Sequence, residues 1–124
     1  MTALNVSRIE LLPQPETPQS EGEILDRDKF GDAFLLHIDY PGKATGQQVD
    51  FTFELHVDRF SPVMPMYARF TTKKNEKEEV KLAATLFDFR TQDGWVLISY
   101  EAKIAEVPKP SSTLHRLIKD RPLT

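Results

Sequence analysis

Apolar and polar positions alternate most cleanly over residues 49–58. Val49, Phe51, Phe53, Leu55 and Val57 are separated there by Asp50, Thr52, Glu54, His56 and Asp58. A period of two puts one set on each face of a pleated strand, so this segment predicts a strand with one wet face. A helix would scatter the phenylalanines around its circumference. The same alternation runs through Ala33–Tyr40, with Phe34, Leu36, Ile38 and Tyr40 on one side and Leu35, His37 and Asp39 on the other. Pro41 and Gly42 end that strand, and the loop to Gly46 is rich in turn formers. A hairpin between the two strands would set Tyr40 near Val49 and Leu36 near Phe53, with both apolar rows on one face.

Later in the chain, Val80–Phe89 predicts another strand, followed by Asp93-Gly94, a tight-turn dipeptide between two β-rich runs. A hairpin centred there sets Phe89 opposite Ile98, Phe87 opposite Tyr100, Thr85 opposite Ala102 and Ala83 opposite Ile104. Val80, Leu82, Ala84 and Leu86 make the other face apolar too, which predicts an inner strand covered on both sides. Residues 60–66 are apolar but hold Pro62 and Pro65, so they cannot be a central strand. Tyr67–Thr72 resumes an extended pattern, and the charged run 73–79 reads as a solvated loop tip. Pro108 and Pro110 close the strand region. Ser111, Ser112 and Thr113 are N-cap residues, and Leu114, Leu117 and Ile118 recur at i, i+3 and i+4, predicting a short amphipathic helix over 111–121.

At the other end, Leu4, Val6, Ile9 and Leu11 form an apolar strand or arm that changes phase midway. Residues 13–23 are polar and contain Pro13, Pro15 and Pro18, which predicts an extended surface connection that either lets the first segment fold back onto its own sheet, the simpler reading, or carries it to a distant docking place, including another subunit. Ile24 and Leu25 precede a polar turn over 26–32. The expected architecture is one all-β domain over 1–124: an arm (1–12), the proline-rich connection (13–23), a β core (24–107) and the short C-terminal helix (111–121). Roughly six to eight antiparallel strands would form a two-layer sandwich or a small open barrel.

Composition narrows the function classes. The 124 residues, 40% of them hydrophobic, suffice for one core. A net charge of −3 argues against non-specific nucleic-acid binding, which needs a basic surface. With no cysteine there is no disulfide scaffold, thiolate metal site or cysteine nucleophile. No apolar run approaches the about 20 residues of a membrane-spanning helix, and residues 1–10 lack the basic start and apolar core of a secretory signal, so the expectation is a cytoplasmic protein without a membrane role.

Candidate chemistry is sparse. Asp26, Asp28 and Asp32 beside Gly31 could wrap a hard cation, but a calcium loop would want oxygen ligands where Phe30 and His37 stand, and Arg27 and Lys29 reduce the charge. A polar turn is the simpler reading, and no cofactor is expected. His37, Asp39, Asp50, Glu54 and His56 share the wet faces and could do acid–base chemistry or bind a metal, yet polar residues are what a solvated sheet face carries anyway. No nucleophile elbow, zinc helix or phosphate loop is present, and neither Ser61 nor Ser99 has an activating context. Arg69, Lys73, Lys74, Lys77 and Lys81 with Tyr67 and Phe70 could follow a nucleic-acid strand, but Glu76, Glu78 and Glu79 cancel the field.

What remains points to contact with protein. Val63, Met64, Met66 and Tyr67 in the proline-methionine segment, Trp95 after the tight turn, and Leu114, Leu117 and Ile118 at the C-terminal end are the candidate partner-binding residues. The expected function is a non-catalytic interaction or assembly module binding a protein partner or itself. An accessory subunit of a larger complex, or a phage or viral protein that binds a host factor, would have these features. The alternatives are a small-ligand-binding barrel lined by the phenylalanine rows, and an enzyme using the His and carboxylate groups of the wet face.

Overall fold

The computed structural model describes residues 11–26, 29, 33–56, 64–83 and 94–119, of which Met64 and Lys119 are placed by their backbone only. These residues are nearly all β, arranged in two open sheets, and contain no helix. The strands are β1 (Ile24–Asp26), β2 (Ala33–Ile38), β3 (Gln48–His56), β4 (Met64–Thr71), β5 (Glu78–Ala83), β6 (Gly94–Ile104), β7 (Val107–Pro110) and β8 (Leu114–Lys119). The larger sheet runs β1-β8-β6-β3-β4, with β7 also on β6; the smaller joins β2 to β5. All pairs are antiparallel except β1 with β8.

Alternation decides which way these strands face. Val49, Phe51, Phe53 and Leu55 of β3 are buried, as are Phe34, Leu36 and Ile38 of β2 with Tyr40 beyond it. They meet Val96, Ile98, Tyr100 and Ala102 of β6 and Val80 of β5 in one core shared by both sheets. Phe51 lies at its centre, 6.2 Å from the ring of Phe53 and 5.9 Å from that of Tyr100, which in turn is 5.9 Å from Tyr40.

Strand pairing departs from the sequence expectation in three places. First, β2 does not form a hairpin with β3. It pairs with β5, Phe34 opposite Leu82 and Leu36 opposite Val80. The two apolar rows therefore belong to different sheets and enter one core, which satisfies the same alternation. Second, Val80–Ala83 does not pair with β6. Ala83 lies opposite Ala33, whereas Ile104 lies opposite Val107. Both edges of β6 are occupied, one by β3 and the other by β8 and β7, so no place is left for a hairpin across Asp93-Gly94. Thr85, Phe87 and Phe89 fall outside the described residues. Nor is the described part of β5 apolar on both faces: Glu79, Lys81 and Ala83 are exposed. The tight hairpin of the sheet is instead β6–β7, turned by Ala105 and Glu106 at φ of 51° and 67°. A two-residue turn whose central residues both have positive φ matches strand twist but normally recruits glycine or asparagine, so its sequence carries no turn signature.

Third, residues 114–119 form strand β8 and not a helix. Leu114 and Ile118 are buried while Leu117 is 52% exposed, the pattern of a strand. Docking between β6 and β1 satisfies backbone groups on both sides of β8, which a six-residue helix could not match alone. Ser111, expected as a cap, donates its backbone N–H to the Tyr100 carbonyl and accepts the Tyr100 N–H on its hydroxyl.

The proline-rich connection docks on the chain itself over its described length. Leu12 bonds through its backbone to Pro110 and Ser112 beside the larger sheet. Glu16 exchanges two 2.9 Å backbone hydrogen bonds with His37 at the edge of the smaller one. The Gln19 side-chain amide extends that edge by donating to the Ala33 carbonyl and accepting from the Leu35 N–H. Residues 12–19 thus strap the two sheets together, and prolines in such an edge segment lose no ladder bond. The Tyr100 hydroxyl, buried, donates to the Pro13 carbonyl at 2.6 Å. Burial, with Tyr40 and Asp39 nearby, raises the Tyr100 pKa, so the phenol stays protonated and remains a donor. Tyr100→Phe should cost about 1–2 kcal/mol in urea unfolding, because the Pro13 carbonyl loses its partner; an unchanged midpoint would mean that water replaces the phenol.

Candidate functional site

The outer face of the larger sheet is where exposed apolar side chains gather. In a parallel or antiparallel ladder, residues at one rung point the same way, so rungs can be read across strands. Ile24 of β1 lies opposite Leu117 of β8, Leu117 opposite Trp95 of β6, and Trp95 opposite His56 of β3. Ile24 is 43% exposed, Leu117 is 52% exposed, and Trp95 and His56 are half-buried. The Trp95 and His56 rings stack at 5.1 Å with 8° between their planes. On the next rung Leu97 lies opposite both His115 and Glu54. The His56 Nε2 atom has no hydrogen-bond partner and no solvent contact; Glu54 is 3.9 Å away.

These positions sort the partner-binding candidates. Trp95 and Leu117 belong to the outer row. Leu114 and Ile118 face the chain's own core. Met66 packs against that core from β4, and Tyr67 points outward, 74% exposed. Met64 opens β4, and Val63 lies outside the described residues. Ile24 is not marked in the sequence, since three residues of β1 are too few to show alternation; His56 reads there as a wet-face candidate for acid–base chemistry or metal binding, whereas its contact with Trp95 makes it part of an aromatic row.

The acid–base candidates are divided between the sheets. His37, on the outer face of the smaller sheet, is 3.2 Å from Glu79. Asp50, Glu54 and His56 lie on the outer face of the larger one, where Arg69 Nε donates to Asp50 at 2.8 Å. That hydrogen bond, helped by one from Gln48 and the charges of Arg69 and Lys103 against a small burial effect, lowers the Asp50 pKa. The two histidines therefore sit on faces that point away from each other. Among the described residues no cluster of three His, Asp or Glu could hold a metal. Asp26 ends β1, and Asp28 and Asp32 lie outside the described residues. The basic candidates are similarly dispersed: Tyr67 and Arg69 face outward on β4, Phe70 packs inward, and Lys81 belongs to the other sheet.

A hollow of about 480 Å³ lies over β3 and β4, lined by Asp50, Phe51, Tyr67, Ala68 and Arg69. The Phe51 side chain is buried, so its backbone floors the hollow and the Tyr67 and Arg69 side chains wall it. The phenylalanine rows of the interior pack ring against ring.

One charged pair is hidden. The Lys43 ammonium, 1% exposed, donates to Glu78 Oε1 at 2.7 Å and to the Lys74 carbonyl. The Glu78 carboxylate, 5% exposed, also accepts the N–H groups of Lys73 and Lys74. Thr72, buried beside them, ties the 41–47 loop down through Ala44, Gly46 and Gln47. The run 73–79 is thus a solvated tip only up to Lys77; Glu78 is a buried anchor at the start of β5.

Together the strands and their exposed row define a class: a nearly all-β chain of two open sheets with an apolar stripe across one outer face. Compared with protein-family models, curated proteins and solved structures, the chain matches none. No helix among the described residues is long and apolar enough to cross a membrane.

Proposed function

We propose that this protein is a non-catalytic interaction module, a two-layer sandwich whose larger sheet docks a protein partner on its outer face. The observation that carries this reading is the row Ile24–Leu117–Trp95–His56, a contiguous apolar and aromatic stripe across four strands where a solvated face would carry polar residues. A stacked tryptophan flanked by exposed aliphatic side chains has the composition of an interface centre, and Glu54, His115 and Asp26 supply a polar rim. The cysteine-free composition suits a reducing, cytoplasmic setting.

The test is site-specific photo-crosslinking of the full-length chain in its source cell. A photo-reactive side chain at Leu117 should give one discrete adduct, and the same probe at Glu76 in the charged loop should not. Ile24→Glu, which charges the row from an exposed position, should reduce that adduct about tenfold or more while leaving the circular dichroism spectrum unchanged. Equal labelling from both positions, or adduct formation indifferent to Ile24→Glu, removes the outer face as the docking surface.

A further inference from the structure

We infer that the exposed edge of β4 pairs with β4 of a second copy of this chain, joining two larger sheets across a two-fold axis. This does not depend on the outer-face reading, because it uses a different surface. Among the described residues β4 has only β3 beside it, and it is an eight-residue edge, whereas β1 at the opposite end has three residues. The backbone groups of an edge strand are a template for another strand unless something blunts them.

The direction of those groups follows from one bond. The Thr72 N–H donates to the Gln47 carbonyl, so at that rung the backbone groups point into the β3–β4 ladder. Alternation then turns those of Phe70, Ala68, Met66 and Met64 toward β3 and those of Thr71, Arg69, Tyr67 and Pro65 outward. Pro65 therefore stands where its missing N–H costs no bond to β3, and Tyr67, Arg69 and Thr71 keep outward donors and acceptors. Edge protection along this stretch is limited to Pro65, which removes one outward donor, and to the Arg69 charge; it holds no lysine and no inward-pointing charge, and its inward side chains Met66, Ala68 and Phe70 are apolar and only partly buried.

The edge is also its own complement. Antiparallel pairing centred on Ala68 sets Tyr67 of each copy opposite Arg69 of the other, a cation over a ring. It sets Met66 opposite Phe70, extending the apolar inner row. Arg69 is held by Asp50, so the rung carries balanced charge into the contact and two copies meet without a clash of like charges. The hollow walled by Tyr67 and Arg69 lies beside this rung, where the incoming tyrosine is placed. A foreign strand could use the same backbone groups, but the Tyr67–Arg69 reciprocity is specific to a second copy.

The experiment is sedimentation velocity of the full chain over a concentration series, with hydrogen exchange on the same samples. The expected mass approaches twice 14.2 kDa, and the amides of Tyr67, Arg69 and Thr71 become protected as concentration rises. Tyr67→Lys, at a 74% exposed site, sets like charges opposite each other twice per dimer and should weaken association about tenfold or more. Tyr67→Glu, with the same loss of ring but a carboxylate facing Arg69, should retain it. A chain still monomeric at about 1 mM overturns the inference, as does equal weakening by both substitutions. A mass that responds to Leu117→Glu and not to Tyr67→Lys also overturns it, while leaving the outer face as an interaction surface.

Discussion

Lys43→Met should destabilise the protein by about 3–5 kcal/mol in urea unfolding at neutral pH, although Lys43 lies in a loop. The substitution keeps the aliphatic stem and removes the ammonium, stranding the Glu78 carboxylate at 5% exposure. The pH dependence distinguishes this from simple loss of packing. Burial by itself raises the Glu78 pKa; the hydrogen bonds from Lys43, Lys73 and Lys74 and the Lys43 charge outweigh it, and the net shift is downward. A carboxylate whose pKa is lower in the folded than in the unfolded state stabilises fully above the unfolded value, and that contribution is lost as pH falls through the folded value. The wild type should therefore weaken on acidification below the ordinary glutamate range. In Lys43→Met the largest downward influence is gone, so burial gains weight and protonating Glu78 relieves the stranded charge. The gap between the two proteins should then narrow toward acid. A cost below about 1 kcal/mol, or a gap independent of pH, would show that water reaches the carboxylate. Tyr40, whose pKa is raised to about 12 by burial and by Glu78, stays neutral throughout this range.

Phe51→Ala should cost about 3–5 kcal/mol, comparable to much of the stability of a domain this size. Phe51 touches the Phe53 and Tyr100 rings and stands where β4, β3 and β6 lie side by side, opposite Ala68 and Tyr100. With strands hydrogen-bonded on both sides, β3 cannot shift inward to fill the cavity. Phe51→Leu, which keeps most of the volume, should lose clearly less. A Phe51→Ala cost no larger than that of Phe51→Leu would show that the core collapses into the space, and calorimetry or urea midpoints measure both.

Strand faces were legible in the sequence; partners were not. Alternation over 33–40 and 49–56 assigned buried and exposed sides as found, because side-chain direction is a local property of a strand. Pairing depends on residues far apart, and β2 with β3 satisfies the same alternation whether they lie in one sheet or face each other across a core. The Asp93-Gly94 dipeptide is a local signal overruled by β8 and β7, which fill the edge of β6 that it would have needed. The C-terminal helix failed for a sharper reason. Leu114 and Ile118 are four residues apart, a spacing that returns to the same side in a helix and in a strand alike, so only Leu117 separates the two periods. The outer row was half legible: Trp95 and Leu117 stood out by residue type, while their adjacency to Ile24 and His56 exists only in the assembled sheet. The Lys43–Glu78 pair, separated by 35 residues, had no mark in the sequence beyond two charges among many.

The strap and the β1–β8 pairing also set an order of events during synthesis. Tyr100 of β6 reaches back to Pro13, and Arg116 and Leu117 of β8 reach back to Thr17, Glu23 and Ile24, so residues near the start of the described chain contact strands that emerge from a ribosome well after them. The smaller sheet can form once β5 is out, because β2 and β5 need nothing later for their ladder. Contacts of such sequence separation place the chain among slow folders, whose loop closures precede their reward. Until β8 leaves the exit tunnel, β1 has no strand to pair with and Thr17 and Glu23 lack Arg116 and Leu117, and the unclosed side of the nascent core is the surface a chaperone would meet.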